Sequence, residues 1–433
     1  MHYTIPKGVF DILPQELHPD DQWRSSDRWQ YLESIIRQTA HDYDFKEIRT
    51  PIFERTELFI RGVGESSDIV SKEMYTFLDK AERSMSLRPE GTAPVLRAFV
   101  EKHLYNQQSL HKLYYIGPMF RYERPQAGRY RQHHQFGVEA IGIGKPEQDV
   151  EVIDMLCELY RRLGLTGLSV VINSVGDSSS RASYKEKLTQ YLTPHFKELS
   201  SDSQERFSKN ILRILDSKDP NDQKILERAP SILDSINDEC IEHFEKVKQL
   251  LDKIGIHYSV DPKLVRGLDY YNKTVFEVVW GNLGAQNSIG GGGRYDGLIS
   301  SLGGPDLPAV GYATGLERIL QTMDKQKVAF PSPPHPVLFL IPIGESAKEF
   351  CFELLCQLRH EQLAVDIDLS GKKLQHGLQQ ANAVGAEFCL IIGDDEIAIQ
   401  KAKIKNLSTR DSVEIAFSEL VLQIKNLQRK SHV

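Results

Sequence analysis

Apolar residues along the first third of the chain change period. Trp29, Leu32, Ile36, Ala40 and Tyr43 recur at helical spacing, whereas Glu47 to Phe53, interrupted by Pro51, reads as extended. A helix therefore feeds a strand. From Arg83 to Gly142 the pattern predicts a short strand, a helix opening near Pro94, and two apolar strands, Leu113 to Tyr122 and Gln135 to Ile141. The polar stretch between these strands holds Pro125, Gly128 and several arginines, which makes the pair an antiparallel hairpin with a long connection.

The character changes at about residues 178–258, which are rich in Lys and Glu, nearly free of glycine, and carry amphipathic runs such as Ile211 to Leu215 and Phe244 to Ile254. A helical insertion is the simplest account. Strand-like Thr274 to Val279, the glycine run Gly290 to Gly293 and the amphipathic stretch Gly311 to Met323 then return to the earlier style. Pro331 to Pro336 (PSPPHP) fits neither a regular helix nor a central strand and reads as a stiff linker. Beyond it, Leu338 to Ile343, Ala347 to Leu358, Ala364 to Leu369, Lys372 to Val384 and Phe388 to Ile392 alternate strand and helix. Such alternation predicts a small α/β domain with a largely parallel sheet. The expected organisation is thus a domain over 1–330 interrupted at about 178–258, a linker over 331–336, and a second domain over 337–433.

At 433 residues the chain is long enough for two or three cores. Its 40% hydrophobic and 26% charged residues suit a globular protein. The longest apolar run, Val337 to Ile343, is too short for a membrane span, and Met1 to Pro14 has neither the basic nor the apolar region of a secretory signal, so a cytoplasmic protein is expected. Five scattered cysteines without a CxxC pair argue against disulfides and a cysteine zinc site. The net charge of −7 excludes a general polyanion binder, so any contact with nucleic acid must be a local patch.

Phe120 to Arg131 is such a patch, with four arginines against one glutamate. A fixed arginine pairs bidentately with phosphate, and one on a loop reaches an RNA backbone, although a solvated charged turn has the same composition. Glu90, in RPEGT, and Glu139, in QFGVE, flank it. Gln135 and Glu139 are four apart and share a face of one strand, and Arg121 and Glu123 share a face of its partner. A polar face of this kind is satisfied most simply by a ligand. A second cluster, Arg266-Gly267-Leu268-Asp269-Tyr270-Tyr271, supplies a cation, an acid and two phenols suited to a small polar ring, or else a strand entry with surface tyrosines. Gly290 to Gly293 permits close backbone approach, or a turn. No P-loop, GxGxxG, HExxH or His/Cys metal spacing is present, and His133 and His134 on one strand point apart. If ATP binds, arginines must hold it.

These segments together resemble the histidyl-tRNA synthetase family of class II aminoacyl-tRNA synthetases. The strand with Pro51 resembles class II motif 1, FRYERPQAGRYRQHHQFGVEAIG motif 2, and AVGYATGLERI motif 3, while LVRGLDYYNKTVFEVV and GGGGRYDGL resemble the two histidine-specific signatures. The resemblance implies an α+β catalytic domain on an antiparallel sheet with a helical insertion, plus a C-terminal α/β anticodon-binding domain. It implies ATP-dependent, Mg²⁺-assisted activation of L-histidine and transfer to tRNA(His) by a homodimer. Arg121 would hold the ATP α-phosphate, Arg318 the γ-phosphate, and Glu123 would also belong to the ATP site. Glu90, Gly91, Thr92 and Gln135 would hold the α-amino end of histidine, and Glu139, Tyr270 and Tyr271 would read its imidazole. Arg266 would neutralise the reacting carboxylate and α-phosphate and is the expected catalytic residue with Arg121. Arg124 and Gln126 would meet the acceptor end of tRNA. Adenine stacking falls to His133 or Phe136. No resident metal site is expected. A non-catalytic relative, such as a regulatory subunit of ATP phosphoribosyltransferase, is opposed by the terminal domain and by the presence of Arg266, Arg121 and Glu90. From Pro336 onward eleven Lys or Arg face thirteen Asp or Glu, so RNA binding there depends on lysine clusters such as Lys372-Lys373 or Lys401 to Lys405.

Overall fold

The computed structural model describes residues 3–15, 18–64, 67, 69–123, 129–281 and 287–431, with side chains to 426. It divides into two compact units, Met1–Phe330 and Pro331–Val433.

In the first unit the strands are β1 (Lys46–Glu47), β2 (Phe53–Arg55), β3 (Thr76–Leu78), β4 (Ser84–Leu87), β5 (His111–Phe120), β6 (Gln132–Ile141), β7 (Ser169–Ser174), β8 (Tyr258–Val260), β9 (Asn272–Val279), β10 (Ser288–Arg294) and β11 (Ala309–Gly315). Eight of them form one sheet in the order β1-β5-β6-β11-β10-β9-β7-β8. Its interior is antiparallel throughout, and only the edge pairs β1 with β5 and β7 with β8 run parallel. β2, β4 and β3 make a small separate antiparallel sheet.

One face of the large sheet is a hydrocarbon core. The predicted first helix spans Ser26–Asp42 and buries Trp29, Leu32, Ile36 and Ala40, its periodic positions. With the helix Pro146–Arg162 and the helix Leu316–Lys325 it covers Phe136, Val138, Ala140, Val310 and Tyr312. The hairpin of β5 and β6 is shifted from its sequence reading. β5 ends at Phe120, so Arg121 and Glu123 lie beyond the ladder rather than on it, and β6 begins at Gln132. The glycine run is neither turn nor loop: Gly290 to Gly293 are buried in the middle of β10.

Between β7 and β8 the chain forms the helices Ser178–Leu192, Ser201–Lys209, Pro220–Leu226 and Asp238–Lys253 with short 3-10 turns. Leu188, Leu192, Ile211, Ile214 and Leu226 of this insertion share one apolar cluster with Tyr271, Val275 and Tyr295.

The second unit has β12 (Leu338–Pro342), β13 (Val365–Ile367), β14 (Phe388–Ile392), β15 (Lys401–Asn406) and β16 (Ser412–Ala416), in the order β13-β12-β14-β15-β16. Only β13, β12 and β14 are parallel, so the sheet is mixed, not largely parallel. The antiparallel hairpin of β15 and β16 was hidden because Lys401, Lys403 and Lys405 alternate with Ala402 and Ile404, a charged pattern that reads as a surface cluster rather than a strand. All five cysteines are free. No helix among the described residues is long and apolar enough to cross a membrane.

Candidate active site

β6 divides its side chains between two worlds. Phe136, Val138 and Ala140 enter the core, and Phe136 packs edge-on against Tyr114 and Tyr312 at 6.1 and 5.7 Å. His133, Gln135, Gly137 and Glu139 take the opposite face. Opposite them stand Tyr115 and Gly117 on β5, and Gly311, Ala313 and Gly315 on β11, followed by Gly291 and Gly293 on β10 and Glu277 on β9. The result is a floor of glycine and alanine rimmed by carboxylates and rings.

Close approach explains the glycines. A Cβ at Gly137 would stand 2.3 Å from Tyr115 Cζ, and one at Gly91 2.2 Å from the same atom. A Cβ at Gly311 would lie 2.4 Å from Glu139 Oε2, and one at Gly291 2.9 Å from Arg266 Nη1. The floor lacks side chains because neighbouring side chains and, at Gly311 and Gly291, the carbonyls of Val138 (2.2 Å) and Phe276 (2.6 Å) already fill the space a Cβ would need.

One end of this floor is acidic and phenolic. Glu139 is buried and accepts a hydrogen bond from the Tyr295 hydroxyl. The rings of Tyr270, Tyr271 and Tyr295 cluster with centroids 4.6, 5.5 and 6.5 Å apart. Glu90, also buried, sits just ahead of the helix Thr92–Glu101 and accepts from Thr92 N at 2.7 Å and Ala93 N at 2.9 Å, which anchors its carboxylate at a helix N-terminus. Burial pushes the Glu139 carboxyl up to about 8, with the neighbouring Glu90 charge adding to the rise. Burial likewise raises Glu90, and it lifts Tyr115, Tyr270 and Tyr295 well above the ordinary phenol, so these hydroxyls are neutral donors. Among the described residues Glu139 Oε1 and Gln135 Oε1 are buried with no hydrogen-bond partner. Two unpartnered oxygens in one pocket call for polar groups from a ligand.

The other end is cationic. Arg121, Arg266, Arg318, Arg129, His133 and Gln135 line a cavity of about 220 Å³. Arg121 Nε donates to Pro89 O at 2.8 Å, Arg318 Nη1 donates to Ser288 O, and Arg266 is paired with Glu277. Burial works against the Arg266 charge, but the Glu277 carboxylate outweighs it and its pKa stands above the ordinary value. Burial and the adjacent Arg129 charge lower Arg318. His133 is held well below the ordinary imidazole by burial and by the charges of Arg121, His134 and Arg318, which keeps its ring neutral. His134 turns away to the core side, where its Nδ1 lies 2.9 Å from Glu317 Oε1 and its ring 4.9 Å from Trp29.

Residues drawn from distant parts of the sequence thus meet: Arg121, Glu123, Gln135, Arg266 and Arg318 line one cavity, and Glu90, Gly91, Thr92, Glu139, Tyr270 and Tyr271 surround its acidic end. Tyr270 and Tyr271 occupy the turn before β9 rather than a strand. Arg124 and Gln126 lie outside the described residues. Of the two candidates for stacking on adenine, Phe136 lies in the core and His133 lines the cavity. The sequence reading assigned no role to Tyr295, Tyr115, Arg129 or Glu277. Tyr295 directly follows the glycine strand and its arginine, a signal that was available; for Tyr115 nothing in the local pattern separates it from the core residues beside it.

An antiparallel sheet presenting arginines and a polar amino-acid pocket on one face, in a chain that carries a second α/β unit, is the architecture of a class II aminoacyl-tRNA synthetase. Within that class the histidyl-tRNA synthetase model matches residues 15–319, an anticodon binding domain model matches 338–427, and the chain belongs to the histidyl-tRNA synthetase family. It is 56% identical over 426 residues to the histidine–tRNA ligase of Protochlamydia amoebophila (98% of this chain, 100% of that protein). Identity to the Bacillus subtilis histidine–tRNA ligase is 47% over 432 residues (99% and 100%). Among solved structures it is similar to apo histidyl-tRNA synthetase of S. aureus, with a TM-score of 0.82 at 39% identity over 98% of this chain and 100% of that one.

Proposed function

We propose that this chain is a histidine–tRNA ligase whose chemistry runs across the glycine floor. The observation that carries the reading is the pair of unpartnered buried oxygens, Glu139 Oε1 and Gln135 Oε1, beside a cavity lined by Arg121, Arg266 and Arg318. An amino acid with an imidazole N–H and an ammonium group satisfies the first, and a triphosphate the second.

Histidine binds with its ring among Glu139, Tyr270 and Tyr271 and its α-amino group toward Glu90, Thr92 and Gln135, over Gly91. ATP lies with the α-phosphate on Arg121, the γ-phosphate on Arg318, and its adenine end near Glu123 and His133. A carboxylate oxygen of histidine attacks the α-phosphorus, the bond to the β-phosphate breaks, and pyrophosphate leaves. Arg266 neutralises charge on both reactants. In such displacements catalysis is mostly positioning and electrostatics, and guanidinium groups already fixed by Pro89 O, Ser288 O and Glu277 need no reorganisation. A hydroxyl at the 3′ end of tRNA(His) then attacks the carbonyl and AMP departs. Arg124 and Gln126 are assigned to the acceptor end, and the second unit to the anticodon.

Mg²⁺ accompanies the phosphates. Among the described residues no group of three His, Cys, Asp or Glu could hold a metal by itself. An ion that takes most of its ligands from phosphate and water would need at most one carboxylate here, and Glu123 and Glu317 are the ones that line the arginine cavity. Bound there, the ion would offset charge on the departing pyrophosphate.

The protein acts as a cytoplasmic homodimer. β2 and β3 expose Phe53 (51%) and Phe77 (44%) with their rings 6.2 Å apart, an apolar pair suited to a second copy.

Exchange of labelled pyrophosphate into ATP tests the activity. Exchange is expected with histidine and with no other amino acid in a panel; none with histidine, or equal exchange with another, would remove the assignment.

A further inference from the structure

The turn from Leu264 to Tyr271 carries Arg266, Tyr270 and Tyr271, yet it belongs to no strand or helix, so no ladder fixes its backbone. Val63 O accepts from Asp269 N at 3.4 Å, and the turn's other anchors are side chains from elsewhere. Asn173, on β7, donates through Nδ2 to Leu264 O at 3.1 Å. The other three come from the helical insertion. Arg213 Nη1 donates to Arg266 O at 3.1 Å, Asn210 Nδ2 donates to Asp269 Oδ1 at 2.8 Å, and Arg181 Nη1 donates to Tyr271 O.

The fit on both sides is close. A Cβ at Gly267 would stand 3.3 Å from Arg213 Nη1, and one at Gly64 2.8 Å from Asp269 Oδ2. The turn is therefore wedged between the end of the helix Thr56–Val63 and the insertion. Arg213 also borders a cavity of about 540 Å³ that reaches Glu277, the partner of Arg266. Asn210 and Arg213 are themselves only partly buried, so their removal opens no core cavity.

We propose that the insertion is part of the activation machinery: Arg213 and Asn210 are positioning residues that set the turn so that the Arg266 guanidinium meets the reacting carboxylate and α-phosphate. The inference rests on the histidine–tRNA ligase reading. A guanidinium displaced by about 1 Å loses up to a hundredfold in rate, because the benefit of a fixed cation depends on its aim. Loss of the Arg213 bond frees the carbonyl of Arg266 itself, one residue's reach from that group.

The test uses the full chain with Arg213→Ala, Arg213→Lys and Asn210→Ala, reading kcat and KM for histidine and ATP in pyrophosphate exchange, with the thermal midpoint of each. Arg213→Ala and Asn210→Ala should lower kcat by about tenfold to a hundredfold at an unchanged midpoint. Arg213→Lys, which keeps a donor for the carbonyl, should recover most of the loss. Wild-type kcat in both alanine variants overturns the proposal, as does a loss that tracks a lowered midpoint and is not relieved by lysine. Absence of histidine-dependent exchange in the wild-type chain is a separate result: it removes the parent reading, and this inference with it.

Discussion

Glu139→Gln keeps the shape of the imidazole pocket and removes its charge. In the folded chain burial raises this carboxyl from 4.5 to about 8. At about 1.36 kcal/mol per pH unit, ionising Glu139 is about 5 kcal/mol harder in the folded state than in the unfolded one. Below pH 4.5 the group is protonated in both states and contributes no difference. Between 4.5 and about 8 the unfolded chain has released the proton and the folded chain has not, so stability falls as pH rises. Above about 8 both are ionised and the full penalty is present. Urea unfolding of the ligand-free protein at pH 5 and pH 9 should therefore show the wild type losing several kcal/mol more than Glu139→Gln across that interval. Histidine binding follows the same proton. Free imidazole titrates at about 6.5, so between there and about 8 a neutral ring meets a protonated Glu139, and the pair already owns the one proton it shares. KM for histidine should be lowest in that window and rise on both sides, and the alkaline limb should vanish in Glu139→Gln. Parallel stability curves for the two proteins, or an alkaline limb that persists in the variant, would refute the reasoning.

Arg266→Ala should lower single-turnover adenylate formation by about 10² to 10³, the usual consequence of losing one charge-stabilising donor, with little change in thermal midpoint. Asp149→Ala removes one of the two carboxylates paired with fully buried Arg294, which precedes Tyr295, and leaves Asp296 Oδ1 at 3.2 Å; denaturant unfolding should show a loss of about 1.5 to 3 kcal/mol, because the buried charge is then only partly compensated. Phe53→Glu with Phe77→Glu places charge on the exposed pair of β2 and β3, and light scattering at micromolar concentration is expected to report a dimer for the unmodified chain and a monomer for the variant.

The helices were the more legible part of the fold. The first one announced itself because Trp29, Leu32, Ile36 and Ala40 face a single core, so burial and period coincide. β10 did the reverse. Its Gly290 to Gly293 have no side chains to alternate, and their strand conformation is imposed by β9 and β11 on either side, a tertiary constraint that no local pattern records. The hairpin of β15 and β16 was missed for a related reason, since the solvent face of β15 is lysine and the hairpin's buried residues are only Ala402, Ile404 and Ile415.

For the site, parity carried information that composition did not. That Gln135 and Glu139 share a face follows from their spacing, and the same rule sends Phe136 to the core and His133 to the cavity face once the register of β6 is known. Contacts across the sheet carry no such rule. Tyr295 bonds Glu139 across 156 positions of chain, and Arg213 reaches Arg266 across 53. The first pairing depends on β11 lying between β6 and β10, the second on an insertion folding back over the turn that follows it in the chain. An active site assembled from strand order is readable one residue at a time only where a neighbour's side chain leaves a mark on the local sequence. Here that mark is glycine: Gly137 and Gly91 make room for Tyr115, Gly311 for Glu139 and the Val138 carbonyl, and Gly291 for Arg266 and the Phe276 carbonyl, so the missing side chains trace in part the outline of the groups that act.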